Sequence, residues 1–503
     1  MRRPVLLPLL LALVAACAGG PAPARVPAPA AGPADAPAGR TVAILHLNDV
    51  YEITPGEGGA AGGLARVAGL RTTLRERFPG LITTLGGDYH SPSAMGLALV
   101  DGERLAGRQM VDILNRVGVD LAVLGNHEFD IREAEFRARL AEARFRILTS
   151  NVRDSAGRPF PGTVPRVIVT VPTPRGPVRV GYFGVTIDDN RPGWVRFDDP
   201  IATARREVAL LRDSADVVIA LTHLTLAQDQ RLLEEVPGIA ALFGGHEHEN
   251  YLLRRGRAFT PIIKADANVR TVALATIALD SAAPRVDVTF LPITAATPTD
   301  PATEARVQQW VARADSAFVR EGLEPRAIVT TLPEPLDGRE ATVRVREGNL
   351  TALIAEALRR EVPDAQVGVM NGGSIRIDDV LPAGPILQYD VIRVLPFGGK
   401  VVRTTMTGAL LVRVLEQGLA NRGSGGFLHA DGARKDGDRW QVAGEPVDPS
   451  RVYVVATTDF LVTGREKGLD YLAPTNAALG PITPFRDIRL VMIRELQRRY
   501  GSR

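Results

Sequence analysis

Five short apolar runs in this sequence each end on side chains able to hold a metal ion or move a proton. Thr41–Leu47 leads into Asn48-Asp49-Val50-Tyr51, and Leu81–Leu85 into Gly86-Gly87-Asp88. Leu121–Leu124 precedes Gly125-Asn126-His127-Glu128-Phe129-Asp130, and Val217–Leu221 ends at Thr222-His223. Ala240–Phe243 runs into Gly244-Gly245-His246-Glu247-His248. The chain has only seven histidines, and His127, His223, His246 and His248 all fall in these blocks. With Asp49, Asp88 and Asn126 they form a set of carboxylate, carboxamide and imidazole donors, which suits borderline or hard divalent ions such as zinc or manganese. A divalent ion held by such donors acidifies a bound water and stabilises developing negative charge. Glycines ahead of Asp88, Asn126 and His246 permit the tight turns that bring these side chains forward. His127 directly follows Asn126 and is poorly placed to bind the same ion, so it fits transition-state stabilisation or leaving-group protonation. Asp130, three residues on, either orients that imidazole or caps the following helix.

The elements that must position these residues are legible in the spacing. Amphipathic segments at Leu64–Arg77, Arg104–Arg116, Arg132–Ala143 and Thr203–Arg212 separate the apolar runs. This alternation predicts an α/β layered domain from Thr41 to about Leu291. Ligand sites in α/β folds lie outside the carboxyl ends of the strands, which directs all five blocks toward one region. Pro292–Pro301 is rich in Thr, Ala and Pro, and a helical segment near Glu304–Phe318 and a loop at Glu321–Arg326 follow. The predicted division is a first domain over 41–297, a connection over 298–325 and a second domain over 326–503.

As a set, the five blocks resemble those of calcineurin-like metallophosphoesterases. Gly125-Asn126-His127-Glu128-Phe129-Asp130 and Gly62-Gly63-Leu64-Ala65-Arg66 are similar to the 5'-nucleotidase branch. The resemblance implies a four-layer first domain, two packed mixed sheets flanked by helices, with a C-terminal α/β substrate-binding domain. It further implies two divalent ions, with Asp88 bridging them, Asn126, His223 and His246 holding one, and Asp49 and His248 the other. His127 and Asp130 match the family's catalytic pair. Where the family commonly has Asp-x-His in the first block, this chain has Tyr51. Tyr51 is either a bystander beside an open metal position or the sign of a different metal, since a phenolate suits ferric iron; zinc, manganese or cobalt is expected, with iron possible.

The second domain carries Arg344-Val345-Arg346-Glu347, Asn371-Gly372-Gly373-Ser374-Ile375-Arg376, Leu395-Pro396-Phe397-Gly398-Gly399 and Asp459-Phe460-Leu461. By resemblance to the 5'-nucleotidase C-terminal domain, Arg344, Asn371 and Arg376 bind phosphate or sugar, Gly399 lines the site, and Phe397 and Phe460 clamp the base. Core packing is the other reading for the two phenylalanines, and a solvated pair on one strand face for Arg344 and Arg346. Downstream, Glu466 and Asp470 are both candidates for the ribose, with the register open. The function implied is a dinuclear-metal phosphoester hydrolase, a 5'-nucleotidase or nucleotide-sugar hydrolase. The alternatives are a hydrolase of another phosphate or sulfur ester and a catalytically silent envelope binding protein.

Composition sets the outer bounds. The chain has 503 residues, 45% of them hydrophobic, with a formal net charge of +3. A mean hydropathy of +0.03 rules out a polytopic membrane protein. Arg2 and Arg3 supply two of the three net charges, so the remainder has no footprint for nucleic acid. Residues 1–16 read as a signal peptide: two arginines, then an apolar run from Val5 to Val14. Val14-Ala15-Ala16-Cys17 resembles the bacterial lipoprotein processing box, and Cys17 is the only cysteine. Residues 17–40 are mostly Ala, Pro and Gly, a semi-rigid tether of up to roughly 70 Å at about 3.1 Å per residue. The expectation is an exported protein held to a membrane by lipidated Cys17 on the periplasmic side, with a small-molecule substrate. Nothing in the sequence indicates an oligomeric state.

Overall fold

Aliphatic runs without polar alternation make strands buried on both faces. In the computed structural model, β1 (Thr41–Leu47) is buried from Val42 onward. It pairs in parallel with β2 (Ile82–Leu85), which pairs in parallel with β3 (Leu121–Val123). Two antiparallel strands, Thr271–Ala278 and Arg285–Pro292, extend the β1 edge, and Arg146–Leu148 and Thr163–Val164 the other, giving seven strands. A second mixed sheet of six strands centres on β4 (Val217–His223) and β5 (Ala241–Gly244), flanked by Val178–Thr186 and Thr260–Lys264. The structure describes residues 39–189, 191–281 and 283–501; the signal segment, Cys17 and nearly all of the tether fall outside these.

The two sheets face each other across one apolar core. Val42, Ile44, Ile82 and Val123 of the first meet Tyr182, Ile219, Leu221 and Phe243 of the second. Helices α1 (Leu64–Arg77) and α2 (Arg108–Val117) cover the first sheet's outer face through Leu64, Val67, Met110 and Ile113. Pro200–Leu211 and Leu226–Glu235 cover the second through Ile201, Val208 and Leu232. This is the four-layer arrangement the resemblance implies. The helix expected from Arg104 begins only at Arg108. Glu103–Arg104 instead pairs as a short strand with Leu99–Val100, and positive φ at Ala106 and Gly107 breaks the entry.

Downstream, α3 (Pro301–Arg320) starts on an Asp300 side chain that accepts the Thr303 N–H at 2.7 Å. The helix buries Val307, Trp310 and Phe318, and the Trp310 indole donates to Asp112 of α2 at 2.7 Å. The connecting stretch is therefore packed against the first sheet's helices. A five-stranded sheet then forms in the order Leu428–Asp431, Val367–Asn371, Val452–Thr458, Lys400–Thr407, Thr483–Asp487. The described residues form one compact unit, with a core that runs on from Ala43 to Leu496. Among the described residues no helix is long and apolar enough to cross a membrane.

Candidate active site

The first-domain strands deliver their chemistry through backbone that ordinary residues resist. Asp49, Asp88 and His246 have φ of 52°, 56° and 82°. Such left-handed residues cost about 1–3 kcal/mol each and persist only where the surroundings enforce them. Asn48 supplies part of that enforcement, since its Nδ2 donates to Asp49 Oδ2 at 2.7 Å and to the Ala265 carbonyl at 2.9 Å. Glu128 supplies more: its buried carboxylate accepts the N–H groups of Asp88 (2.9 Å), Tyr89 (2.7 Å), His90 (2.9 Å) and Gly125 (2.5 Å). Close approach explains the glycines. A Cβ on Gly125 would lie 2.0 Å from Asp88 Oδ1, and one on Gly245 would lie 2.3 Å from the Gly86 carbonyl oxygen.

Held this way, the predicted donors converge. Oxygens of Asp49 and Asp88 and a nitrogen of His223 lie within 4.8 Å of one another. His223 Nε2 is 3.2 Å from Asp88 Oδ2 and 3.1 Å from Asn126 Oδ1, with Nδ1 on the Gly86 carbonyl at 2.7 Å. The His246 ring stands 5.4 Å from the His223 ring, and His248 Nε2 is 3.6 Å from Asp49 Oδ1. Two carboxylates at 0% and 1% exposure are costly without a facing cation, and oxygen and imidazole donors at this spacing fit divalent ions. Burial works against protonating His223, yet the Asp88 and Asp49 charges outweigh it and raise its pKa to about 9. Burial, then the charge of His223, lowers His246 to about 4, which keeps that imidazole neutral for coordination.

Tyr51 reaches into the same point. Its hydroxyl donates to Asp88 Oδ2 at 3.2 Å and lies 3.0 Å from His248 Nε2. Burial, reinforced by the Asp88 and Asp49 charges, raises the phenol well above 10. His127 donates its backbone N–H to Asp88 Oδ1 at 2.8 Å, and its Nδ1 is 2.7 Å from Asp130 Oδ2. The helix after this turn, Glu133–Glu142, takes Arg132 as its N-cap, so Asp130 is not the cap. Burial pulls the His127 imidazole down, but Asp88 and Asp130 outweigh it and hold its pKa above 6.5.

A cleft of about 1170 Å³ opens over this cluster. Asp88, Asn126, His127, Asp130, His246 and His248 line one wall, and Arg344, Asn371, Arg376, Phe397, Gly399 and Phe460 the other. Phe397 and Phe460 are 53% and 40% exposed, so they are cleft residues and not core. The Arg376 guanidinium sits 5.8 Å from the Phe397 ring centre. Gly399 has φ of 95°, and a Cβ there would lie 2.7 Å from Asp459 Oδ1. The strand-like alternation expected for Arg344-Val345-Arg346 is absent. Arg344 caps the short helix Glu340–Val343, and only Arg344 of the two arginines lines the cleft. Asn371 is committed inward, its Nδ2 donating to Glu466 Oε2 at 2.9 Å and its Oδ1 accepting from Ser374 at 2.6 Å. Of the two acids, Glu466 lines the cleft, and Asp470 is exposed outside it.

Residues 42–250 match the family model for calcineurin-like phosphoesterases, and residues 328–473 that for the C-terminal domain of 5'-nucleotidases. The chain belongs to the two-domain 5'-nucleotidase family of calcineurin-like phosphoesterases. It is 27% identical to a 5'-nucleotidase of Bos taurus over 84% of this chain and 83% of that protein. The fold matches a solved 5'-nucleotidase precursor of Thermus thermophilus (TM-score 0.75, 23% identity, 92% of this chain and 97% of that one). It also matches the sulfate thiohydrolase SoxB of the same organism (TM-score 0.69, 19% identity, 92% and 95%).

Within this phosphoesterase family the chain is a metal-dependent hydrolase. Three supporting residues were not singled out from its sequence. Glu128 stands inside the strongest motif, and its burial is the only further signal it needs. Lys264, fully buried, donates to the carbonyls of Leu224 (2.7 Å) and Gly245 (2.8 Å) and pairs with Asp229 at 2.8 Å and with Glu247. It thereby ties the His223 turn to the His246–His248 loop. Its scarcity, one of four lysines among 60 basic residues, was the available hint. Asp378 is the third, and it touches His248 from the second domain.

Proposed function

We propose that this phosphoester hydrolase carries two metal ions and acts on nucleotides outside the cytoplasm, as a 5'-nucleotidase or nucleotide-sugar hydrolase. The observation that carries the reading is one cleft with the carboxylate–imidazole cluster on one wall and two exposed phenylalanines beside two arginines on the other. The bovine relative's name adds support for nucleotides. The domains we assign are 41–297 and 326–503, joined by 298–325.

Asp88, Asn126, His223 and His246 would hold one ion, and Asp49 and His248, with Asp88 shared, would hold the other. Zinc, manganese or cobalt suits these donors, with iron the further candidate that Tyr51 raises. When bound, the two ions acidify a shared water and neutralise charge on the phosphoryl oxygens. Asp130 holds Nδ1 of His127 and orients the ring, whose role is to stabilise or protonate the departing oxygen. Arg344 and Arg376 offer planar forks to phosphate oxygens. Phe397 and Phe460 stack the base, and Glu466 accepts from ribose hydroxyls. Residues 1–16 export the chain, and lipidated Cys17 anchors it at the periplasmic face of a membrane.

Elemental analysis of the purified full chain, paired with a phosphate-release screen, tests this. Two ions per chain are expected. Exhaustive chelation abolishes hydrolysis of nucleoside monophosphates or nucleotide sugars, and Mn, Co or Zn restores it. Activity that survives in a metal-free preparation overturns the mechanism. Turnover confined to simple monoesters or sulfur esters overturns the substrate class, and no turnover at all makes the protein a binding module.

A further inference from the structure

Asp378 lies in the second domain, yet its carboxylate meets a first-domain side chain in the metal cluster. It is 8% exposed and sits at φ 38°, a strained position for a residue with a side chain. Its Oδ2 contacts Nδ1 of His248, and its Oδ1 accepts the Glu340 N–H at 2.7 Å. The far nitrogen of the same ring, Nε2, faces Asp49 Oδ1 at 3.6 Å and the Tyr51 hydroxyl at 3.0 Å. The neighbours of Asp378 pin it from both domains. Arg270 of the first domain donates to the Asp378 carbonyl at 3.5 Å and pairs with Asp379 at 3.9 Å. Arg393 of the second pairs with Asp379 at 3.5 Å.

We infer that Asp378 is a positioning residue for His248, fixing the ring and its tautomer so that Nε2 faces the Asp49 metal position, and that this position is completed only when the second domain is seated. The inference rests on the proposed function, because it takes His248 as a ligand. The physical ground is general. A coordinating imidazole that gives its other N–H to a carboxylate is held in one orientation and becomes a better donor, and loss of the partner typically weakens metal affinity about 10–100-fold. A plain interdomain ion pair needs only proximity to the ring. Here the carboxylate is on the nitrogen that leaves the other one pointing at Asp49, which is what coordination requires. The strained φ at Asp378, the hydrogen bond from Arg270 to its carbonyl and the two ion pairs of Asp379 beside it are accounted for by the same need to place one oxygen.

The test uses the full chain with Co²⁺ as probe, titrated against a competing chelator to resolve two affinities and followed by the visible cobalt spectrum. Asp378→Asn keeps the shape and lowers the affinity of one site about 10–100-fold while the other is unchanged. Arg393→Met removes one pin on the neighbouring Asp379 without touching His248, and weakens the same site by less while the other is unchanged. If Asp378→Asn does not fold, Asp378→Glu takes its place, with the same one-sided loss expected from a misplaced carboxylate. Unchanged cobalt affinities in the folded variant, or equal loss at both sites, overturn the inference and make Asp378 an interface residue only. A wild-type chain that binds fewer than two cobalt ions counts instead against the proposed function.

Discussion

The Arg376 guanidinium lies 3.5 Å from Nδ1 of His127 and 3.9 Å from Asp130 Oδ2. A cation from the second domain thus sits against the His127–Asp130 pair of the first. Arg376 also reaches toward Glu340 at 3.8 Å, so its charge is shared between two carboxylates until an anion enters the cleft. On the proposed function, a phosphate drawn to Arg376 would arrive beside both His127 and the Asp88 cluster, which would join binding and chemistry across the two domains.

If His127 handles the leaving oxygen, its loss must spare the metals. His127→Ala should lower kcat by roughly 10²–10⁴ while metal content stays at the wild-type value. Steady-state kinetics with elemental analysis on the same preparation checks both. A fall in metal content that matches the fall in rate would move His127 to the ligand set, where its backbone contact with Asp88 already places it close by.

Tyr51 donates to one ligand candidate and touches another, with its phenol held protonated by burial and by the Asp88 and Asp49 charges. Tyr51→Phe should therefore change metal affinity by only a few-fold. Tyr51→His, which restores an imidazole at this position, should tighten the Asp49 site. An absorption band in the visible region of the iron-loaded protein that Tyr51→Phe removes would show phenolate coordination instead.

The five strand ends were readable because apolar runs, glycines and scarce histidines coincide within a few residues of one another. What stayed illegible depends on distance along the chain or on local backbone. Asp378 meets His248 across 130 residues, and no local pattern marks such a pair. Arg344 and Arg346 looked like one strand face because a polar-apolar-polar triplet fits a strand as well as it fits a turn. Helix Glu340–Val343, ending at Arg344, decides against the strand. The two roles open to Asp130 separate only once Arg132 is seen to cap the helix. Glu466 and Asp470 look alike along the sequence, and only the fold, which brings Asn371 Nδ2 onto Glu466 and leaves Asp470 outside the cleft, sets their surroundings apart.

Glu128 accepts two N–H groups on each carboxylate oxygen: Asp88 and Gly125 on Oε2, Tyr89 and His90 on Oε1. Glu128→Gln turns one oxygen into an amide NH₂ that faces two donors. We expect a loss of about 1–3 kcal/mol in stability from the unmet groups, together with weaker metal binding as the Asp88 turn relaxes. Denaturant unfolding and a metal titration of the variant measure the two effects. Full stability with wild-type affinity would mean the turn is fixed by its glycines and by Asp88 alone.

Phe397 separates a nucleotide site from a general phosphatase site. Its ring is 53% exposed beside Arg376, so removing it leaves little void in the core. Base–aromatic stacking contributes about 1–3 kcal/mol. Phe397→Ala should therefore raise KM for nucleotides by roughly 5- to 150-fold, leave kcat nearly unchanged and barely affect phenyl phosphate. A packing role makes the opposite forecast, with a lower melting temperature and equal losses on both substrates. Kinetics on the two substrates and one melting curve distinguish them. A uniform loss with a lower melting point would take Phe397 out of the site, and leave Phe460 as the sole aromatic face for a base.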